Sequence, residues 1–242
     1  MRKSKNMYPS DLSYSASNPN VSESFRILRT NLQFSMASDD SSVILVTSSF
    51  QGEGKSWNAA NIACVFADQG KNTLLIDADL RKGVQEKRFG VSNSNGLSNY
   101  LANVNCNEKN FIKNTSVANL SIITRGNVPP NPSELLSSDR MEELIRRVKE
   151  DFDIVIIDMP PVLVVTDALI LANKVDKVIL VGAMNQTRTN AILEAKKALD
   201  NVGAKICGVI LNKDKNKARS YYKYGGKYGK GYGYGYGYGY GY

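Results

Sequence analysis

Six short aliphatic runs constrain this chain more than any other feature: Val43–Val46, Thr73–Ile76, Leu120–Ile123, Ile154–Ile157, Val178–Val181 and Ile206–Leu211. Several are apolar throughout, and a strand of that kind must be covered on both faces, as in a parallel sheet. Between most of them lie stretches of helical character, clearest at Ser56–Ala67, Pro132–Lys149 and Arg188–Asn201. This alternation predicts an α/β fold built on a doubly wound, mostly parallel sheet. Ahead of the first strand, Phe25, Leu28, Leu32 and Met36 recur at i, i+3, i+7 and i+11 and predict a helix starting near Ser22. Asn131-Pro132-Ser133-Glu134 marks a further helix start, with Asn131 as cap, Pro132 at the first helical position and Glu134 closing a capping box.

The 242 residues suit one such domain, or at most two small ones. Residues 1–20, rich in Ser, Asn and Pro, are expected to form a flexible arm; residues 21–212 the domain; residues 213–242 a disordered tail. Ten of the 13 tyrosines (Tyr221, Tyr222, Tyr224, Tyr228, Tyr232, Tyr234, Tyr236, Tyr238, Tyr240 and Tyr242) and nine of the 19 glycines lie in that tail. Glycine at every second position supports neither a helix nor a core. Charge is just as uneven: residues 1–212 carry 24 basic and 22 acidic side chains, whereas residues 213–242 carry seven basic and one acidic. Six of the eight net positive charges therefore belong to the tail, which argues against a nucleic-acid partner, since that needs a basic patch on a folded face.

Histidine is absent. That excludes Ser-His-Asp and Cys-His nucleophile systems and His-ligated zinc, and leaves a carboxylate, Lys, Tyr or water as general base. Cys64, Cys106 and Cys207 are far apart and are expected to be reduced thiols in a cytoplasmic protein. No apolar run approaches the ~20 residues of a membrane span, and the basic N-terminus runs into polar Tyr8-Pro9-Ser10-Asp11 rather than a signal peptide. A role at a membrane would therefore need another protein to hold the chain there.

The sharpest local signal is Ser48-Ser49-Phe50-Gln51-Gly52-Glu53-Gly54-Lys55-Ser56, between an expected strand and an expected helix. Glycines let backbone N–H groups approach phosphate oxygens, and a helix N-terminus favours negative charge. Gln51, Gly52, Glu53, Gly54, Lys55, Ser56 and Trp57 are the candidate nucleotide-binding residues. In such a loop Lys55 reaches the β- and γ-phosphates and the Ser56 hydroxyl ligates Mg²⁺. The pattern is imperfect, because Ser49 stands at its first glycine position; the plain alternative is a Gly-rich turn before a helix. Asp77 and Asp79 follow a strand at i and i+2, so both point toward the ligand crevice of such a sheet. Asp158 ends a run of four aliphatic residues, as a metal-shell carboxylate of a P-loop protein does. Each acidic position alone would more often be a strand-end turn; in this order after a phosphate loop they are specific. Guanine readers carry Asn-Lys-x-Asp after a late strand, but here Asn212-Lys213-Asp214 is followed by Lys215, so Asn212 is a candidate contact for adenine.

Together these residues resemble the bacterial tyrosine kinases of capsule and exopolysaccharide synthesis. The resemblance rests on the Lys55 loop, Asp77-x-Asp79-x-Arg81, Asp158-x-Pro160-Pro161, Pro130-Asn131-Pro132-x-Glu134-Leu135-Leu136, the clustered C-terminal tyrosines and Glu23-x-x-Arg26-x-x-Arg29. It covers roughly residues 21–242 and implies a P-loop ATPase fold of the type shared with ParA and MinD. It implies ATP and Mg²⁺ held by Lys55 and Ser56. Asp77, Asp79 and Asp158 would share metal organisation and deprotonation of an incoming Tyr, with Asp77 favoured as base and Asp79 and Asp158 on the metal. The tail tyrosines would be autophosphorylated in a neighbouring subunit, and Glu23, Arg26 and Arg29 would join subunits into a ring. On spacing alone those three residues are equally a solvated charge ladder. A separate transmembrane adaptor would activate the chain and hold it at the membrane.

Three positions depart from the family pattern: Gln51 where Pro is usual, Trp57 where a small hydroxyl residue is usual, and Met159 where Thr is usual. None removes a charged group. The competing expectation is a ParA/MinD-like positioning ATPase, but those carry an extra Lys five residues before the loop Lys, where this chain has Phe50. Self-association through the Gly-Tyr repeats is a secondary property at most.

Overall fold

The computed structural model of the protein describes residues 19–36, 41–103 and 105–214. The aliphatic runs become strands β1 (Ser42–Ser48), β2 (Thr73–Asp77), β4 (Leu120–Ile123), β5 (Ile154–Asp158), β6 (Lys177–Ala183) and β7 (Ile206–Asn212). With β3 (Lys113–Asn114) they form a seven-stranded sheet among the described residues, in the order β3-β4-β2-β5-β1-β6-β7. Every pairing is parallel except β3 with β4. β3 is too short and polar to show in the sequence as a strand.

The reason the runs are apolar throughout is visible in the core. Along β1, Ile44 and Val46 face one layer while Val43 and Leu45 face the other. The first layer is closed by helices α1 (Pro19–Ser35) and α2 (Lys55–Ala67), with Phe89 of α3 (Gln85–Phe89). The second is closed by residues of α4 (Leu97–Ala102), α5 (Pro132–Ser137), α6 (Asp139–Asp151), α7 (Asp167–Ala172) and α8 (Thr189–Asn201). Helices on both faces complete the doubly wound fold expected from the sequence. Truncating a fully buried strand residue such as Ile44 or Ile156 to Ala would cost about 2–5 kcal/mol.

The stripe Phe25, Leu28, Leu32 and Met36 packs as expected, but α1 opens at Pro19 rather than Ser22. The single helix expected over Pro132–Lys149 is two, parted at Ser138, whose backbone is extended (φ −68°, ψ 152°). The Ser138 hydroxyl donates to the Leu135 carbonyl at 2.6 Å, so a local side-chain bond competes with helix continuation. Asn131 does sit at the N-cap with Pro132 in the first turn, but its amide donates to the Glu134 carboxylate at 2.9 Å instead of forming the expected capping box. The short helices α3, α4 and α7 carry too few turns to give a periodic signal.

The sheet and its helices lie in a compact unit that ends at Asn212. The tail expected over 213–242 falls outside the described residues except for 213–214, as does the arm over 1–20 except for 19–20. The three thiols are free. No helix among the described residues is long and apolar enough to cross a membrane.

Candidate active site

The phosphate-type loop joins β1 to α2. Gly52 (φ 85°) and Gly54 (φ 97°) occupy the left-handed region that only glycine enters without strain. Gly54 is also pinned by space, since a Cβ there would lie 2.0 Å from Nδ2 of Asn212. The loop is stapled through Glu53, which is buried. Its carboxylate accepts the Phe50 N–H at 2.9 Å and the Thr187 hydroxyl from the β6–α8 turn, while its carbonyl accepts the Asn212 side-chain amide at 2.9 Å. Glu53 and Asn212, both expected at the nucleotide, therefore also hold the loop in shape.

Parallel pairing brings the three acidic positions together: Asp77 at the end of β2 is the register partner of Asp158 at the end of β5. Lys55, at the start of α2, reaches across to Asp79 at 2.8 Å and Asp158 at 3.4 Å, and also donates to the Ser56 hydroxyl at 3.1 Å. Burial alone would lower the Lys55 pKa, but the negative charges of Asp158, Asp79 and Asp77 outweigh it and the net shift is upward. The ammonium is thus fixed in its charged form.

Asp77, as deeply buried as Asp158, differs from the other two in forming no ion pair with Lys55. It is fully buried, with Oδ2 accepting the Gln85 backbone N–H at 3.0 Å and Oδ1 having no hydrogen-bond partner. Burial, then the charge of Asp158, push its pKa well above the usual carboxylate range, against the pull of the Gln85 amide and Lys55. Its pocket exists because residue 83 is glycine: a Cβ there would lie 2.5–2.7 Å from the Asp77 carboxylate. Asp79 instead faces a cleft of about 320 Å³ that also touches Gly54, Lys55, Ser56 and Trp57.

Arg81 lines the same cleft. Its guanidinium makes a two-pronged pair with buried Asp167 of α7 (2.9 and 3.1 Å), and Ser133 of α5 closes the triangle, 2.7 Å from Asp167 and 3.1 Å from Arg81. The Asn131–Leu136 motif is thereby tied to the cleft. Gln51 accepts a hydrogen bond from Lys82 at 3.3 Å. Trp57 packs its ring 5.4 Å from Phe25 of α1. On α1 itself, Glu23 and Arg26 form an exposed ion pair at 3.1 Å, while Arg29 turns inward to the Val65 carbonyl at 3.4 Å. The tail tyrosines lie outside the described residues.

Sequence reasoning missed Gly83, Gln85 and Asp167. Gly83 and Gln85 follow the Asp-x-Asp-x-Arg motif without periodic pattern, and only the fold brings Asp167 to Arg81. The site suits a magnesium-bound nucleotide. Ser56, Asp79 and Asp158 are hard oxygen donors, and Mg²⁺ takes one or two carboxylates, retained waters and substrate phosphates rather than an all-protein cage. No cluster of three or more His, Cys, Asp or Glu arranged as metal ligands occurs among the described residues.

Comparison with known proteins agrees with this geometry. A family profile described as an AAA domain matches residues 41–206. The tyrosine-protein kinase YwqD of Bacillus subtilis is 41% identical over 85% of this chain and 86% of its own length. The putative tyrosine-protein kinase CapB of Staphylococcus aureus is 39% identical over 85% of this chain and 90% of its own. The solved chimerical protein CapA2B2 superposes with a TM-score of 0.79 at 35% identity, over 85% of this chain and 90% of that one. The Escherichia coli tyrosine-protein kinase etk is 37% identical over 84% of this chain, which spans only 28% of etk's length. The cell division ATPase MinD of Pyrococcus furiosus shares the fold more distantly, with a TM-score of 0.62 at 25% identity over 72% of this chain and 73% of its own. A phosphate loop with Asp77, Asp79 and Asp158 placed beside it, together with relatives of this identity along most of the chain, makes it a member of the bacterial tyrosine-protein kinase family.

Proposed function

We propose that the chain transfers the γ-phosphoryl group of ATP to tyrosines of its own C-terminal tail, presented by a neighbouring copy, in the service of capsular or exopolysaccharide synthesis. The observation that carries this reading is the convergence of Lys55, Ser56 and Asp79 on one cleft behind a glycine-shaped loop, with buried Asp158 bonded to Lys55 beside them.

The backbone of Gly52–Ser56 and the start of α2 bind the phosphates. Lys55 exchanges its carboxylate contacts for the β- and γ-phosphates, and Ser56, Asp79 and Asp158 hold Mg²⁺. The metal, when bound, neutralises charge that develops on the transferring phosphoryl group. Arg81, oriented by Asp167 and Ser133, adds a fixed positive charge at the cleft. A tyrosine hydroxyl has a pKa near 10 and attacks better with an acceptor for its proton. Asp77 is the favoured acceptor: its raised pKa and unpartnered Oδ1 suit it to take a proton, with Asp79 the alternative on the cleft wall.

The tail of about 30 residues spans up to ~100 Å when extended, so a neighbour's site is within reach. Each phosphate adds about −1.5 to −2 charges, so a few would reverse the tail's excess of positive charge and loosen a ring assembled through Glu23, Arg26 and Arg29. A membrane-spanning adaptor is the proposed activator and anchor, placing the chain at the cytoplasmic face of the membrane. Support comes from etk, which extends well beyond the matched part, and from the chimerical build of CapA2B2.

The test is a phosphotyrosine immunoblot of the chain with ATP and Mg²⁺, with and without an adaptor segment. Lys55→Met and a truncation at Ser220 both lose the signal if the reading holds. Signal surviving Lys55→Met removes the site assignment, and phosphate release without phosphotyrosine favours a MinD-like ATPase.

A further inference from the structure

Gln85 ties together the end of β2, the end of β5 and the first turn of α2. It opens α3, is fully buried and does not line the cleft. Its backbone N–H donates to Asp77 Oδ2 at 3.0 Å. Both hydrogens of its side-chain amide are used: Nε2 donates to Asp158 Oδ2 at 2.8 Å and to the Ser56 carbonyl at 2.8 Å. Asp158 is therefore gripped from two sides, Oδ1 by the Lys55 ammonium at 3.4 Å and Oδ2 by a neutral amide.

We infer that Gln85 is a positioning residue for the metal-binding half of the site, fixing the Asp158 carboxylate and the first turn of α2 so that Asp158 and Ser56 present their oxygens together. This inference rests on the nucleotide reading of the cleft. The chemistry favours a primary amide. A bond to a carboxylate is charge-assisted and directional, so it locks the carboxylate plane. A neutral donor does so without a second cation to rival Lys55 or to repel Mg²⁺. The two hydrogens of one nitrogen also set a fixed angle between Asp158 and the Ser56 carbonyl, which couples the end of β5 to the start of α2. Such outer partners of metal ligands typically change metal affinity 10- to 100-fold when removed. Gly83 supports the arrangement two residues earlier, keeping the Asp77 side of the clamp free of a Cβ.

The chain supplies its own reporter. Trp57 is the sole tryptophan and lines the cleft beside Ser56, so its fluorescence responds to what binds there. The experiment is a Mg²⁺ titration of the full chain at fixed ADP, read by Trp57 fluorescence, on the parent chain and on Gln85→Met and Gln85→Leu. Both variants remove the side-chain donors, keep the backbone N–H to Asp77 and roughly preserve volume. Melting curves show which of them is folded. The expected result is a half-saturating Mg²⁺ concentration raised at least about tenfold, with ADP affinity in EDTA within about twofold of the parent chain. A folded variant whose Mg²⁺ response stays within twofold of the parent chain overturns the inference. So does equal weakening of ADP binding with and without Mg²⁺, which makes Gln85 a general support of the fold. If the parent chain itself shows no Mg²⁺-dependent response to ADP, it is the nucleotide reading that fails.

Discussion

The molecule carries two dense networks of opposite charges, and they do different work. One joins Lys55, Asp79 and Asp158, with Asp77 behind them, at the C-terminal ends of β2 and β5. The other runs along the outer face of α6, where Glu143 meets Arg146 at 2.9 Å and Arg147 at 2.6 Å and Arg146 meets Glu150 at 2.5 Å; only its far end, Arg147 to Glu108 at 3.0 Å, reaches a buried carboxylate. The α6 network has more pairs at comparable distances. Exposed pairs, however, give back most of their Coulomb energy to solvent and side-chain entropy. Buried charges lose hydration and depend on their partners, so removing one partner is expensive. Short distances alone do not identify a functional cluster; the imbalance of three carboxylates around one buried ammonium does. That imbalance is what a phosphate and a divalent cation would resolve.

The largest effect that would sharpen this contrast is Lys55→Met. Transfer to tyrosine should fall by at least about 10²–10³-fold. Leaving Asp79 and Asp158 uncompensated should also cost about 3–5 kcal/mol, visible in urea denaturation. Asp77→Asn comes next: a fall in transfer of about 10²–10⁴-fold with a melting temperature equal to or above the parent chain, because the amide ends the burial of an unpaired charge. If Asp79→Asn alone gives the drop in rate while Asp77→Asn remains active, the proton acceptor is Asp79. Gly83→Ala pushes a methyl group against the Asp77 carboxylate and should cost about 1–3 kcal/mol in the same assay.

The smallest effect belongs to α6. Glu143 has its pKa lowered to about 2, first by hydrogen bonds from Arg146 and then from Arg147. A lowered folded-state pKa stabilises above the unfolded value of 4.5, and that contribution fades as pH falls toward 2. Glu143→Gln should therefore shift the melting temperature by no more than about 2 °C at pH 7, and by less still near pH 2. A shift at pH 7 as large as that of Lys55→Met would erase the distinction between the two networks.

The sheet was legible because its six long strands are built on short aliphatic runs, several of them apolar throughout, a pattern few other structures tolerate. The loop, Asp77 and Asp158 were legible because each closes such a run, and Asp79 because it follows Asp77 at i+2. The break at Ser138 was not, since a single hydroxyl bonded to the Leu135 carbonyl decides it and the flanking apolar pattern continues through it. Nor were the supports of the site. Gln85 acts through a side-chain amide that bridges residues 29 and 73 positions away, and Asp167 through a guanidinium 86 positions away. Such contacts exist only once the sheet order is set, because β5 must sit between β2 and β1 for the ends of the three strands to converge.

The most direct test of the central claim separates site from acceptor in one tube. A chain truncated at Ser220, with its cleft intact, is mixed with the full-length Lys55→Met chain, ATP, Mg²⁺ and an adaptor segment, and both are analysed by intact mass. Phosphate is expected on the tail tyrosines of the Lys55→Met chain. Hydrolysis of ATP by the truncated chain with no mass gain on its partner would contradict it.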